Sequence, residues 1–188
     1  MKVVAFNGSP RPNGNTQQMI EKVFETLRDK GIECVRVDIA RKPLRGCTGC
    51  FGCTKNGGRC VQKDDLNDWF DMASQADAIL IGSPTYFANV TAETKAFLDR
   101  VGFLARVTGA LVRKPLAGIV AVRRGGAVPT VDAINHMGLI NQMLIVGSTY
   151  WNFAIGLEKG DVQEDKEGME NMQNLGENLA WLLGKLDT

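Results

Sequence analysis

Cys47, Cys50, Cys53 and Cys60 form a C-x2-C-x2-C-x6-C pattern. Thiolates three residues apart can converge on a single metal ion or on one compact multi-iron object. The C-x2-C-x2-C run is ferredoxin-like, whereas zinc sites usually separate two C-x2-C pairs by a longer loop. The spacing favours a cubane [4Fe–4S] cluster, with a zinc ion or a loop of free thiols as the alternatives. Thr48, Gly49, Phe51 and Gly52 between the cysteines are small or apolar, which leaves room for a cluster and shields it from water. No proline follows Cys60, unlike in two-cluster ferredoxins, in keeping with one self-contained cluster.

A second group suits an anion. Residues 8–16, GSPRPNGNT, follow an apolar run and lead straight into a helical pattern. A helix start offers free N–H groups and the positive end of its dipole; Ser9, Asn15 and Thr16 add side-chain donors and Arg11 a cation, so a phosphate ester fits. Asn15 stands where a Walker A loop has its Lys, which disfavours a nucleoside triphosphate, and the G-x-G-x-x-G dinucleotide fingerprint is absent. A plain turn with Asn15 or Thr16 as helix cap would use the same residues.

Two more loops follow apolar runs. Residues 82–89 supply Tyr86 and Phe87 as aromatic faces, with backbone groups and Asn89 as polar edges, which is what an isoalloxazine needs. In residues 122–126, VRRGG, the glycines permit close backbone approach and an arginine can stabilise negative charge on a reduced flavin. Taken singly, the first loop also reads as cover for a sheet end and the second as a solvated turn.

The elements that must position these loops alternate. Segments 2–6, 33–38, 78–81, 117–122 and 143–146 read as strands, and 16–30, 64–74, 92–104, 130–141 and 166–186 as helices. Alternating β and α implies a parallel sheet with helices on both faces. The runs 78–81 and 117–122 are apolar, as central strands should be, while 33–38 mixes in Glu33, Arg36 and Asp38, as an outer strand would. That suits an α/β, three-layer, flavodoxin-like fold with a five-stranded sheet in the order 2-1-3-4-5. All three ligand loops then lie at one edge, and the cysteines in the irregular stretch 41–63.

At 188 residues, one domain over 1–188 is expected, without repeat or linker. A net charge of +1 and the lack of a basic block argue against nucleic acid, and no apolar run is long enough for a bilayer. The opening residues enter a strand pattern directly, so a cytoplasmic, reducing setting is expected, where clustered cysteines are not disulfides. Cys34, within a strand, reads as a buried structural thiol. His136 reads as a surface residue, Asp64 and Asp65 as helix caps, and Trp151, Phe153 and Trp181 as packing residues. No catalytic acid, base or triad is evident.

Taken together, residues 8–16, the cysteine segment closing with Asp64-Asp65, SPTYFANVTAETKAFLDR at 83–100 and RRGG at 123–126 resemble the NADPH-dependent FMN reductase and iron-sulfur flavoprotein superfamily. The resemblance implies that Ser9, Arg11, Asn15 and Thr16, with Gln17 beside them, bind FMN phosphate. It also implies that Pro84, Thr85, Tyr86, Phe87, Asn89, Arg123, Gly125 and Gly126 surround the isoalloxazine. The cysteine spacing resembles the compact cluster motif of iron-sulfur flavoproteins. A homodimer or homotetramer is implied, with the flavin near a subunit interface. The expected function is electron transfer between a [4Fe–4S] cluster and FMN, with ferredoxin or NAD(P)H as redox partner and a small-molecule acceptor. The alternatives are an NAD(P)H-dependent FMN or quinone reductase without a cluster and, more distantly, a redox-sensing binding module.

Overall fold

Along β1 (Lys2–Asn7), Val3 and Ala5 point to one side and Val4 and Phe6 to the other, and all four are fully buried. A strand buried on both faces needs cover on both. In the computed structural model, which describes residues 1–186, α1 (Asn15–Asp29) and α6 (Lys166–Leu186) supply one layer. The other comes from α3 (Leu66–Gln75), α4 (Ala92–Thr108) and α5 (Ala127–Ile140), while α2 (Gly52–Lys55) is a single turn in the cysteine segment. Met19, Ile20, Val23, Phe24 and Leu27 show why α1 forms: their spacing makes one apolar stripe, and every one is buried.

All strands are parallel. β2 (Glu33–Asp38) is the half-exposed edge, followed by β1, β3 (Ala78–Pro84) and the fully buried β4 (Pro115–Val122). The order 2-1-3-4-5 is therefore present, but the sheet has six strands. The expected fifth strand at 143–146 shrinks to β5 (Leu144–Ile145), which pairs only with Pro115 and Leu116. The chain then leaves the sheet and returns as β6 (Phe153–Ile155), pairing with Val120–Val122. Two short strands thus share one edge of β4. Between them Asn152 holds the detour in place, its side-chain amide donating to Val146 O (3.1 Å) while its backbone carbonyl accepts from Val120 N–H (3.0 Å). The return of β6 delivers the following loop to the same end of the sheet as the loops after β1, β3 and β4.

Two of those loops are fastened together at Gly8. Its N–H donates to Gly82 O (2.8 Å) and its carbonyl accepts from Thr91 Oγ1 (2.9 Å), the side chain that also caps α4. A Cβ at Gly8 would run into Thr94 Oγ1. Gly8→Ala should therefore lower stability by about 1–3 kcal/mol, as overpacking does. At this size that is about 2–4 °C of melting temperature per kcal/mol, and an unchanged thermal melt would refute the close fit.

Candidate functional site

At the carboxyl ends of β1, β3, β4 and β6 lies a cleft of about 130 Å³. Its walls are Ser9, Arg11, Asn15 and Thr16 from the first loop, Pro84, Thr85 and Tyr86 from the third strand, Ala121 and Arg123 from the fourth, and Gly156 and Leu157 after β6. Thr16 Oγ1 and Thr85 Oγ1 are buried there without a hydrogen-bond partner. Native structures rarely leave buried hydroxyls unpaired, so two in one cleft mark a place for a polar ligand. Wider grooves between α1 and α6 (about 440 Å³) and between α4 and α5 (about 490 Å³) lie along helices, away from these strand ends.

Eight of the residues singled out in the sequence meet in this cleft: Ser9, Arg11, Asn15, Thr16, Pro84, Thr85, Tyr86 and Arg123. Asn15 is not the helix cap; Gly14 holds that position, and the Asn15 amide donates to Glu158 O (2.9 Å) and accepts from Gly160 N–H (2.8 Å). Gln17 faces away and exchanges hydrogen bonds with Asn13. Phe87 is fully exposed at the tip of a tight turn in which Phe87 and Ala88 both have positive φ (49° and 57°) and Tyr86 and Asn89 pair across it. Two consecutive non-glycine residues in that region are strained, and a Cβ at Gly126 would come within 3.0 Å of Ala88, so the approach of the two turns requires glycine there. Asn89 turns toward the α4–α5 groove, and Gly125 lies outside the cleft. Gly156 and Leu157 were missed because the second half of the split fifth strand has only three residues, too few for a pattern.

The cysteine loop is anchored at one end. Cys53 and Cys60 are half-buried against the core, whereas Cys47 and Cys50 are exposed. Cys60 is clipped by Asn67, which accepts from its N–H (2.8 Å) and donates to its carbonyl (2.9 Å). Its Sγ accepts from Arg100 Nη2 (3.1 Å). Arg100 is 2% exposed and forks onto Asp64, with Nη1–Oδ2 at 2.5 Å and Nη2–Oδ1 at 2.9 Å, and also donates to Arg45 O (3.0 Å). Asp64, expected as a cap, does accept from Leu66 N–H (3.2 Å), but chiefly neutralises this buried guanidinium; Asp65 pairs with Lys42 (3.1 Å). Among the described residues no three His, Cys, Asp or Glu side chains stand together as a metal-holding group, because residues 43–51 form neither helix nor strand and carry two of the thiols into solvent.

The thiols differ in acidity. Burial, with Cys60 and Cys47 close by, pushes Cys53 up, while the Gly52 N–H and the Thr48 hydroxyl lower Cys50. Cys34 is half-buried, not fully buried, and desolvation pushes it up to about 11. His136 is exposed as expected; Trp151 (54%) and Trp181 (65%) are also exposed, so neither packs in the core.

A family model described as NADPH-dependent FMN reductase matches residues 1–158. The chain belongs to that family. As an FMN reductase family member it is an oxidoreductase. It is 36% identical, over 96% of both chains, to an iron-sulfur flavoprotein of Methanocaldococcus jannaschii. Two solved structures share the fold. One is RosB with bound 8-demethyl-8-formylriboflavin-5'-phosphate (TM-score 0.80, 15% identity, 100% of this chain and 80% of that one). The other is the flavodoxin-like WrbA-like protein of Agrobacterium tumefaciens (TM-score 0.67, 18% identity, 98% and 97%).

Since the thiolate is the nucleophile, this FMN reductase family member should label unevenly with iodoacetamide at pH 8 when reduced and metal-free. Cys50, with its lowered pKa, should react first and Cys34 last, and the Cys34 rate should climb as pH approaches about 11. Peptide mass spectrometry finding both modified at equal rates would contradict these environments.

Proposed function

We propose that this chain is an FMN-dependent electron-transfer protein that moves electrons between FMN and a [4Fe–4S] cluster held by Cys47, Cys50, Cys53 and Cys60. The flavin half of this reading is carried by Thr16 Oγ1, a hydroxyl buried at the start of α1 with nothing to bond. Leaving such a group unpaired costs about 1–3 kcal/mol, which a phosphate oxygen would recover. Ser9 and Arg11 stand beside it, so one cation and two hydroxyls face the anion, and the first-turn N–H groups of α1 add their dipoles. Asn15 and Gln17 brace the loop. Tyr86, Pro84 and Thr85 would line the ring side, and Arg123 would supply the charge that stabilises a reduced flavin. When bound, FMN accepts a hydride or single electrons.

For the cluster, the support is the donor set: four thiols on one loop, without His or carboxylate among them, and an N–H···S contact from Arg100 to Cys60. Hydrogen bonds to sulfur are among the features that tune such centres, which exchange one electron at a time. The name of the 36% identical relative supports the same pairing. Ferredoxin or NAD(P)H would be the redox partner and a small molecule the acceptor. The exposed Phe87 and Trp151 would suit a homodimer or homotetramer. No helix among the described residues is long and apolar enough to cross a membrane, in keeping with a cytoplasmic setting. The second reading, hydride transfer from NAD(P)H to FMN or a quinone with the cysteine loop structural, draws on the family description and on the two solvent-facing thiols.

Protein purified without oxygen should contain one FMN, with about four iron and four acid-labile sulfide per chain. FMN without iron would transfer the function to the hydride-accepting reductase; iron without FMN would end the flavin reading. Thr16→Val should weaken FMN binding about tenfold, the value of one hydrogen bond of about 1.4 kcal/mol, in a fluorescence titration. Unchanged affinity would mean the phosphate sits elsewhere.

A further inference from the structure

We propose that the buried pair Arg100–Asp64 sets the reduction potential of the cluster, Arg100 raising it through Cys60 and Asp64 holding it down. This rests on reading the four thiols as cluster ligands, which the chemistry of the donor set supports. From the middle of α4, Arg100 reaches the cysteine segment at three places that bracket those thiols. They are Arg45 O (3.0 Å) before Cys47, Cys60 Sγ (3.1 Å) at the last thiol, and the Asp64 carboxylate just beyond it. The Arg100 side chain is 1% exposed and that of Asp64 12%. Asn67 fixes the N–H and carbonyl of Cys60, so the sulfur is held against the guanidinium. Among the described residues, Cys60 is the one thiol whose sulfur accepts from a cation.

Anchoring alone leaves two features unexplained. A neutral side chain could supply hydrogen bonds to the loop, whereas here a full positive charge is kept out of water with its Nε unpartnered. A buried ion pair is also often no more stabilising than apolar residues of the same volume. What the pair does bring to this place is charge. A thiolate-bound cluster gains one negative charge when it takes up an electron, with no bond made or broken and its cysteine ligands unchanged. A cation at the sulfur of one ligand favours that reduced form, and the N–H···S bond acts in the same sense, while a carboxylate behind the cation opposes it. Burial strengthens both effects, because little water is present to screen them. Arg45 and Lys63, whose side chains line the surface groove beside Asp64, are exposed and act weakly.

The test is an anaerobic redox titration of the full chain with FMN and cluster bound, following the reduced cluster by electron paramagnetic resonance and the flavin by absorbance. Asp64→Asn should raise the cluster midpoint, favouring the reduced form at least about tenfold at a fixed potential, or about 59 mV for one electron. Arg100→Gln leaves Asp64 uncompensated and should lower the midpoint by at least as much. Arg100→Lys keeps the charge but cannot fork onto both partners; it should fall between wild type and Arg100→Gln, and serves where the latter fails to fold by circular dichroism. Lys63→Gln is the solvated control and should move the midpoint less than any of these, and the flavin midpoint should move less than that of the cluster. Shifts of one sign for the Asp64 and Arg100 variants, or none, would overturn the proposal, as would loss of iron from every variant of the pair, which would leave Arg100 and Asp64 as anchors only. Where one variant alone keeps its iron, the sign of its shift decides. Wild-type protein without iron would overturn the proposal together with the cluster reading, whereas a wild-type cluster with unmoved midpoints in the variants would overturn the charge pair alone.

Discussion

The backbone at Gly8 is gripped from two sides, by the Gly82 carbonyl of the neighbouring strand and by the Thr91 hydroxyl at the head of α4. Thr91 N–H in turn donates to Ser83 Oγ (3.1 Å), so two strand ends and the head of α4 share one bonded junction. Without that junction the loop after β1 would be a mobile glycine- and proline-rich turn. With it, Ser9 and Thr16 are held within the buried interior at 3% and 1% exposure, although they belong to a surface loop.

A second constraint governs the cysteine loop. Arg100 is the largest fully buried side chain and sits in the middle of α4, where an arginine would ordinarily be costly. Asp64 neutralises it with a two-pronged contact, and the other Nη hydrogens reach Arg45 O and Cys60 Sγ, while Nε is buried without a partner. A buried ion pair of this kind need not add net stability, but removal of either partner leaves the other uncompensated. Its position identifies what it does for the fold: it pins the end of an otherwise irregular segment to the helix whose head holds the junction at Gly8.

The sequence revealed the layers and strand order because the relevant signals are local. β3 and β4 are apolar throughout, β2 is mixed, and α1 carries a clean stripe. It also revealed most of the cleft, since three loops rich in Gly, Pro, Ser and Asn follow strands that a parallel sheet aligns at one end. What it hid was non-local. Nothing in Leu144–Ile145 or Phe153–Ile155 announces that they share one edge of β4. Spacing also hid the partners of Asn15, which lie 143 and 145 positions away. Asp64 looked like a cap because Arg100, 36 residues on, cannot be paired with it by spacing. The cysteine spacing speaks for a shared ligand, yet the loop conformation puts two thiols against the core and two in solvent.

The bonds from Asn15 to Glu158 and Gly160 also set an order of events during synthesis. A nascent chain emerges from its amino end, so β1, the loop after it and α1 leave the ribosome while the other wall of the cleft has yet to be made. Until residue 160 has emerged and β6 has docked on β4, the pocket stands open along one side. Closure of the cleft in this architecture is thus a late step, tied to the last third of the chain, and a nascent chain stalled before that point would carry a formed loop with nothing to close it.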